Sequence, residues 1–195
     1  LGIATHLALC PTCRRTADVL VSIAGDLLAN ISPAEMSGDA AARMMARIDV
    51  SDDAENETDL STPLISKSRM LPQPLLRYLG KDLADLKWQR LGMGAFQSLI
   101  PTQEKNVTAR LLRIPAGRPV PEHTHRGLEL TLILSGEFSD ATGTYKRGDL
   151  QEADKTLEHQ PCAGKDEDCI CLAITDAPLR FRSLAARIVQ PMLGI

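Results

Sequence analysis

The residues with the clearest chemistry are the four histidines, which are all that this chain of 195 residues contains. Every one lies at a metal-ligand spacing from other ligand-type residues. The upstream group is His6, Cys10 and Cys13, and the downstream group is His123, His125, Glu129 and His159. Imidazole, thiolate and carboxylate are the side-chain groups that bind transition metals. The spacing therefore predicts two metal sites, and any function has to account for both.

The upstream group has the composition of a zinc site, because two thiolates and one imidazole select Zn²⁺. Cys10 precedes Pro11, which disfavours helical geometry at Cys10 and suits the first position of a new helix. A helix N-terminus favours the thiolate form that binds metal. Two alternatives stay open, a redox dithiol and incidental packing. The dithiol of thioredoxin-like proteins follows a strand, and no strand is indicated before Cys10.

The downstream group suits Zn²⁺, Fe²⁺, Mn²⁺ or Ni²⁺, since it combines imidazoles with one carboxylate. His123 and His125 are two residues apart, so on a strand they point to the same face. Glu129 shares that face if the strand continues, and His159 is the remaining histidine of this part of the chain. A metal held only for stability is an alternative. Ordinary polar residues on a strand are another, although burying them without a metal is costly.

The segments that carry the upstream group are predicted to be helical. Apolar residues at three and four spacing predict one helix from about 12 to 30 and a second from Ser37 to Asp49. An acidic stretch without large apolar residues follows, and it is typical of a solvated linker. We expect a helical zinc-binding domain over residues 1–51 and a linker over 52–73.

The downstream group lies among short apolar runs that are separated by Gly, Pro and Asp. Such runs at regular spacing predict an antiparallel sandwich or barrel, here over residues 74–195. The expected fold class is α+β with two domains.

Charge and cysteine content exclude several classes. The net charge of −3 gives no basic surface for nucleic acid, and no apolar run approaches the ~20 residues that span a bilayer. Five cysteines cannot all pair within the chain. This favours thiolate ligands in a reducing compartment, and we predict a cytoplasmic location.

Other sulfur-containing residues have two interpretations. Cys169 and Cys171 share a strand face, and together with Cys162 they fit buried packing residues, although a thiol pair that oxidises during signalling is the alternative. The methionines of the second helix fit a core, but flexible Met side chains also suit partner grooves. The residues predicted to contact a partner are Met44, Met45 and Ile48.

The downstream pattern resembles the cupin superfamily. The stretch Gly117-x5-His123-x-His125-x3-Glu129-x6-Gly136 matches every fixed position of the first cupin motif, and Gly148 and His159 keep the spacing of the second. Asp154, Thr156 and Ala163 depart from the second motif, where Pro, Gly and Asn are usual. The resemblance implies a small double-sheet β-barrel, or jelly roll. It further implies that the four downstream residues bind Zn²⁺ or another divalent transition metal.

The two groups together resemble the ChrR type of zinc-binding anti-sigma factor. Residues 125–132, 168–173 and 175–181 also look similar to that family. The resemblance implies a non-enzymatic regulator that binds an extracytoplasmic-function sigma factor and releases it on oxidative stress, such as singlet oxygen or peroxide, sensed through the cupin domain. A further zinc-ligand His of the family would fall before Leu1, so we expect residues upstream. The alternative is a cupin metalloenzyme of the dioxygenase or isomerase type, which has no need of the cysteine group.

Overall fold

Helices precede strands in the computed structural model, which describes residues 1–51, 70–92, 94–183 and 190. Most of the predicted linker, 52–73, lies outside these residues. The helices of the described residues are α1 (Gly2–Leu9), α2 (Pro11–Ala29), α3 (Ala40–Ser51), α4 (Gln73–Leu79) and a 3₁₀ helix (Leu83–Asp85). None of them is long and apolar enough to cross a membrane.

The strands begin at residue 89 and are short. They are β1 (Gln89–Gly92), β2 (Ala95–Ile100), β3 (Thr108–Ile114), β4 (His123–His125), β5 (Glu129–Ser135), β6 (Glu137–Asp140), β7 (Gly143–Lys146), β8 (Leu150–Ala153), β9 (Glu158–His159), β10 (Cys162–Ala163), β11 (Cys169–Thr175) and β12 (Leu179–Phe181).

Proline sets the start of the second helix, as the sequence predicted. Cys10 is extended, with φ −96° and ψ 104°, because the following proline ring disfavours helical geometry. Helix α2 then begins at Pro11, where a missing N–H costs nothing. The side chain of Arg14 donates to the carbonyls of Leu7 at 2.8 Å and Ala8 at 3.3 Å. These contacts satisfy carbonyls that the last turn of α1 leaves open.

The described strands form three antiparallel sheets. One has the strand order β1-β2-β3-β11-β5-β8, and two three-stranded sheets have the orders β10-β6-β7 and β12-β4-β9. The predicted antiparallel architecture is confirmed, but the prediction of a closed barrel is wrong for these residues. Pro161 lies between β9 and β10, so the chain passes from one small sheet to the other across a residue that cannot donate to a ladder.

The six-stranded sheet is covered on both faces. One face packs with α4 and the 3₁₀ helix around a core cluster that includes Leu75, Leu111 and Leu172. The other face packs on β6 and β10 through Ile133 and Phe138. Between β5 and β6 the chain turns at Gly136, with φ +67°. A Cβ there would lie 2.6 Å from the carbonyl oxygen of Asp168, so only glycine fits this turn.

The described residues divide into two compact units, and the division differs from the expected domain boundary. Leu1–Arg15 belongs with Arg69–Ile195, and Thr16–Ser68 forms the second unit. Within the first unit, α1 packs against α4 and β5. A Cβ at Gly2 would lie 2.7 Å from Cδ1 of Ile174, and a Cβ at Gly148 would lie 3.5 Å from that of Leu9. The first helix is thus seated on the outer face of the six-stranded sheet.

Helices α2 and α3 carry exposed apolar side chains. Helix α2 has no buried residue among its 19. The side chains that share this exposure at helical spacing are Val19, Leu20, Ile23, Leu27 and Leu28 in α2 and Met44, Met45 and Ile48 in α3. Exposed apolar side chains at helical spacing are typical of interaction sites.

Candidate metal centres

The downstream group is assembled from two sheets. His123 and His125 lie on β4, and His123 pairs directly with His159 on β9. The sequence placed Glu129 on the same strand face if the strand of His123 and His125 continued, but β4 ends at His125. Glu129 is the first residue of β5 in the six-stranded sheet, where it pairs with Thr175 and Ala153. The turn between β4 and β5 brings the carboxylate back to the two imidazoles.

The four ligand atoms of this group converge in a buried place. All lie within 4.8 Å of one another, and the four residues are between 3% and 8% exposed. The Nε2 atom of His125 lies 2.9 Å from Oε2 of Glu129, and the Nε2 atoms of His123 and His159 lie 3.1 Å apart. Buried polar atoms this close either hydrogen-bond to one another or share a bound metal ion.

The contacts of the Nδ1 atom show which nitrogen of each ring is available to a metal. Nδ1 of His123 faces the carbonyl oxygen of Pro121 at 2.8 Å, and Nδ1 of His125 faces the carbonyl oxygen of Asp154 at 3.2 Å. Nδ1 of His159 faces Oδ2 of Asp140 at 2.7 Å. Oxygens of this kind only accept, so each Nδ1 carries a proton, and Nε2 is the nitrogen of each ring that can bind a metal. Three converging Nε2 atoms and a carboxylate are the donor set of a divalent transition metal.

The electrostatics of the group keep its carboxylates ionised. Burial raises the pKa of Glu129, but hydrogen bonds from His123 and His125 outweigh it and lower that pKa to about 2. Burial likewise opposes ionisation of Asp140, yet hydrogen bonds from Thr142, Gln151 and His159 bring its pKa to about 2. The pKa of His159 is lowered by its own burial. Anionic carboxylates and a neutral imidazole are the forms that bind metal.

A buried cation lies on the same inner face as Glu129. Arg110 is 5% exposed and donates to Oε1 of Gln97 at 2.9 Å. It pairs across the sheet with Ala173, which pairs in turn with Thr131. Burial lowers the pKa of Arg110, and the charge of Glu129 opposes that effect. The interior around the ligand group is therefore polar and charged rather than an apolar core.

The upstream group is also brought together, at the junction of α1 and α2. The ligand atoms of His6, Cys10 and Cys13 lie within 4.8 Å of one another. Backbone N–H groups at the start of α2, first that of Cys13, lower the pKa of the Cys10 thiol, as expected at a helix N-terminus. Among the described residues, Nδ1 of His6 is the one buried side-chain nitrogen or oxygen without a hydrogen-bond partner. An orphaned imidazole nitrogen beside two thiols fits a zinc ion.

The remaining cysteines lie in the sheet interior or near it. Cys169 and Cys171 are 0% and 2% exposed and belong to the cluster around Ile133 and Phe138. The pKa of Cys171 is raised well above its ordinary value by its hydrogen bond with Cys169 and by burial. Cys162 is half-buried. Buried packing of Cys169 and Cys171 is confirmed, and the raised pKa of Cys171 makes that thiol a poor nucleophile.

The sequence did not single out Asp140, Arg110 or Gln151 as site residues. Asp140 is followed by Ala-Thr-Gly, a composition typical of a turn, and it does cap that turn by accepting from the N–H of Thr142 at 2.8 Å. Its second oxygen faces the ligand His159. Alternation along β6, with Phe138 buried on the same strand face, was the one pattern that could have indicated an inward-facing carboxylate.

The antiparallel sheets and the converging His, His, Glu and His ligands define a cupin-like protein. The family described as the ChrR cupin-like domain matches residues 78–177. The protein named Anti-sigma-E factor ChrR of Cereibacter sphaeroides is 43% identical over all 195 residues of this chain and 88% of its own length. The chain therefore belongs to the ChrR family.

A solved structure supports the same relationship. The crystal structure of Rhodobacter sphaeroides SigE in complex with the anti-sigma ChrR contains a chain that is 41% identical to this one. The match covers 89% of this chain and 86% of that chain, with a TM-score of 0.73.

Proposed function

We propose that this protein is an anti-sigma factor, which binds an extracytoplasmic-function sigma factor in the cytoplasm and keeps it from RNA polymerase. The observation that carries the proposal is the likeness over the full chain to a protein named as an anti-sigma-E factor. The likeness to a chain solved with SigE supports a sigma factor as the partner. A protein of this kind acts by sequestration and needs no catalysis.

The surface proposed for the sigma factor lies on α2 and α3. Leu20 and Leu28 of α2 are 61% and 71% exposed, and Met44 and Met45 of α3 are 57% and 59% exposed. Together with Ile48 of α3, these side chains give each of the two helices an exposed apolar surface. Flexible methionines adapt to a partner groove. Helix in groove is a recurring mode of recognition for such faces.

This surface is tested by measuring the affinity of the full chain for an extracytoplasmic-function sigma factor of the same organism. We expect Leu28→Ala and Met45→Ala each to weaken binding by more than about 1 kcal/mol if they lie at the centre of the interface. Leu99→Ala is the matched control, because Leu99 on β2 is 49% exposed and lies outside the proposed face. Failure of the zinc-loaded parent protein to bind any such sigma factor would refute the proposed function.

Both ligand groups are proposed to bind metal. His6, Cys10 and Cys13 would hold Zn²⁺, and His123, His125, Glu129 and His159 would hold Zn²⁺ or another divalent transition metal. The orphaned Nδ1 of His6 supports the first site, and the three converging Nε2 atoms beside Glu129 support the second. We further propose that residues 1–51 form the sigma-binding domain, residues 52–73 a linker, and residues 74–195 a cupin domain of the double-sheet jelly-roll type.

The signal is proposed to be oxidative stress, such as singlet oxygen or peroxide, sensed at the cupin metal site. A route from the cupin site toward the zinc ligands is supported by two contacts that neighbouring residues of β11 make. Glu129 pairs with Thr175, Ile174 precedes it on β11, and Ile174 contacts α1 at Gly2. Loss or oxidation of a cupin ligand would disturb β5 and β11, and with them the seat of the helix that carries His6. A two-state change of this kind is what coupling between separate sites requires.

The sensing step is tested by exposing the complex of this chain with the sigma factor to singlet oxygen or an organic peroxide. We expect the parent protein to release the sigma factor, whereas Glu129→Gln retains it. Release that is identical in both proteins would exclude the cupin site as the sensor. Turnover of a small substrate by the metal-loaded chain would instead favour the metalloenzyme alternative.

A further inference from the structure

Asp140 is a carboxylate enclosed by hydrogen-bond donors. Its side chain is 0% exposed. Oδ2 accepts from Nδ1 of His159 at 2.7 Å and from Nε2 of Gln151 at 2.8 Å. Oδ1 accepts from the backbone N–H of Thr142 at 2.8 Å and from its hydroxyl at 2.6 Å. Four donors occupy the four acceptor positions of one carboxylate, so its orientation is fixed.

The donors come from different parts of the fold. Asp140 ends β6, Gln151 lies on β8 of the six-stranded sheet, and His159 lies on β9 of the third sheet. These three strands belong to three different sheets. Asp140 is therefore the point at which the separate sheets are tied together next to a metal ligand.

His159 differs from the other two histidines of the group in what holds its ring. The rings of His123 and His125 are held by backbone carbonyl oxygens, which are neutral. The ring of His159 is held by a charged carboxylate. A carboxylate behind an imidazole fixes the tautomer and makes Nε2 a stronger donor to a metal.

We propose that Asp140 is the positioning residue of the cupin metal site, which orients His159 and sets the affinity of the site for a divalent cation. This inference rests on the proposed metal binding.

A matched control exists at Asp154, the residue that follows β8. Asp154 caps its own turn in the same way, accepting from the N–H of Thr156 at 2.9 Å and from its hydroxyl at 2.6 Å. Asp154 also adjoins a metal-ligand histidine, but it holds His125 through its backbone carbonyl. Asp154→Asn therefore alters the same turn motif and removes the same charge without changing the group that holds a ligand ring.

The experiment uses the full chain with Cys10→Ala, so that the downstream group is the intact ligand set, and Co²⁺ as the probe. Affinity is measured by competition with a chelator, and the visible spectrum of bound Co²⁺ reports the ligand environment. We expect Asp140→Asn to weaken binding by about 10- to 100-fold and to change the spectrum. Asp154→Asn should leave both close to those of the parent.

Two further variants separate orientation of His159 from turn structure. Thr142→Ala removes the hydroxyl that bonds to Oδ1 but leaves the contact between Asp140 and His159. It should lower stability without a comparable loss of Co²⁺ affinity. Asp140→Glu keeps the charge and the acceptor, so we expect partial rescue of both affinity and spectrum, and it also serves if Asp140→Asn fails to fold.

The outcomes distinguish the inference from the proposal beneath it. If the parent binds one equivalent of Co²⁺ and Asp140→Asn binds it as tightly as Asp154→Asn, Asp140 has no positioning role, although the metal site stands. An equal loss in Thr142→Ala would assign the effect to the turn and overturn the inference. If the parent binds no Co²⁺, the metal site itself is refuted.

Discussion

The two ligand groups are built on opposite plans. The downstream group lies inside the sheets, and its residues are at most 8% exposed. The Nδ1 atom of each of its imidazole rings faces an acceptor oxygen, which fixes the ring. The upstream group lies at a helix junction, Cys13 is exposed, and His6 has an unsatisfied nitrogen. The downstream group is held in place by the surrounding fold, whereas the upstream group lacks such support and depends on a bound metal. The exposed upstream group is therefore the easier one to disturb.

Metal removal should give the largest effect and separates the two groups directly. Structural zinc can contribute on the order of 10 kcal/mol to the folding of a small site. We expect a chelator to strip the upstream group first and to disorder the start of α2, while the sheets stay folded. Elemental analysis should show that Cys10→Ala and His123→Ala each lose one bound ion. In a time course with a chelator, only Cys10→Ala should abolish the fast phase of metal release.

Truncating a leucine should lower the free energy of unfolding much more in the core of the six-stranded sheet than on the exposed face of α2. Leu172 is 0% exposed in the six-stranded sheet, so Leu172→Ala should lower the free energy of unfolding by about 2–5 kcal/mol. Leu20 on α2 is 61% exposed, and Leu20→Ala should change it by no more than about 0.5 kcal/mol. Denaturant unfolding of the free chain measures both. A large loss in Leu20→Ala would contradict the description of α2 as an unpartnered face.

Acid should lower the contribution of Glu129 to the free energy of unfolding of the metal-free protein. The pKa of Glu129 falls from its ordinary 4.5 to about 2 on folding, so the folded chain binds fewer protons than the unfolded chain in this range. Its stabilising contribution is present above pH 4.5 and is lost as the pH falls toward 2, by on the order of a few kcal/mol. Denaturant unfolding at pH 5 and pH 3 checks this, and Glu129→Gln should flatten the dependence.

The smallest expected effect tests whether the upstream group draws support from the sheet. Gly2→Leu places a side chain where even a Cβ would lie 2.7 Å from Cδ1 of Ile174, so either α1 or the end of the Ile174 side chain must shift. We expect faster release of metal from the upstream group and unchanged affinity of the downstream group. Chelator-release kinetics provide the measurement, and Gly38→Leu is the control, because a Cβ at Gly38 meets nothing within 4 Å.

The sequence predicted the ligand groups better than it predicted what surrounds them. Spacing alone selected His123 and His125, because a strand has a fixed period of two, and proline chemistry placed the start of α2 at Pro11. The antiparallel strands were also predictable from turn residues. Sheet closure was not, because it depends on pairing between strands that are far apart in the sequence. Asp140 was missed because its local sequence is that of a turn, and its contact with His159 spans 19 residues.

Helical periodicity gave the face of α2 correctly but not its environment. Leu20 and Leu28 have the spacing of a core-facing stripe, yet the described structure leaves them exposed. Periodicity reports that a face is apolar and is silent about what covers it. Only the packing of the whole chain separates a core from a docking surface.

The seat of α1 on the outer face of the six-stranded sheet limits how modular this protein can be. Residues 1–15 precede α3 in the chain but share a compact unit with residues 69–195. A helical segment exchanged with a relative by recombination near the acidic stretch would bring an α1 that had packed against a different sheet. Helix α1 and the six-stranded sheet are therefore constrained to change together, although the segments that carry them are far apart in the sequence.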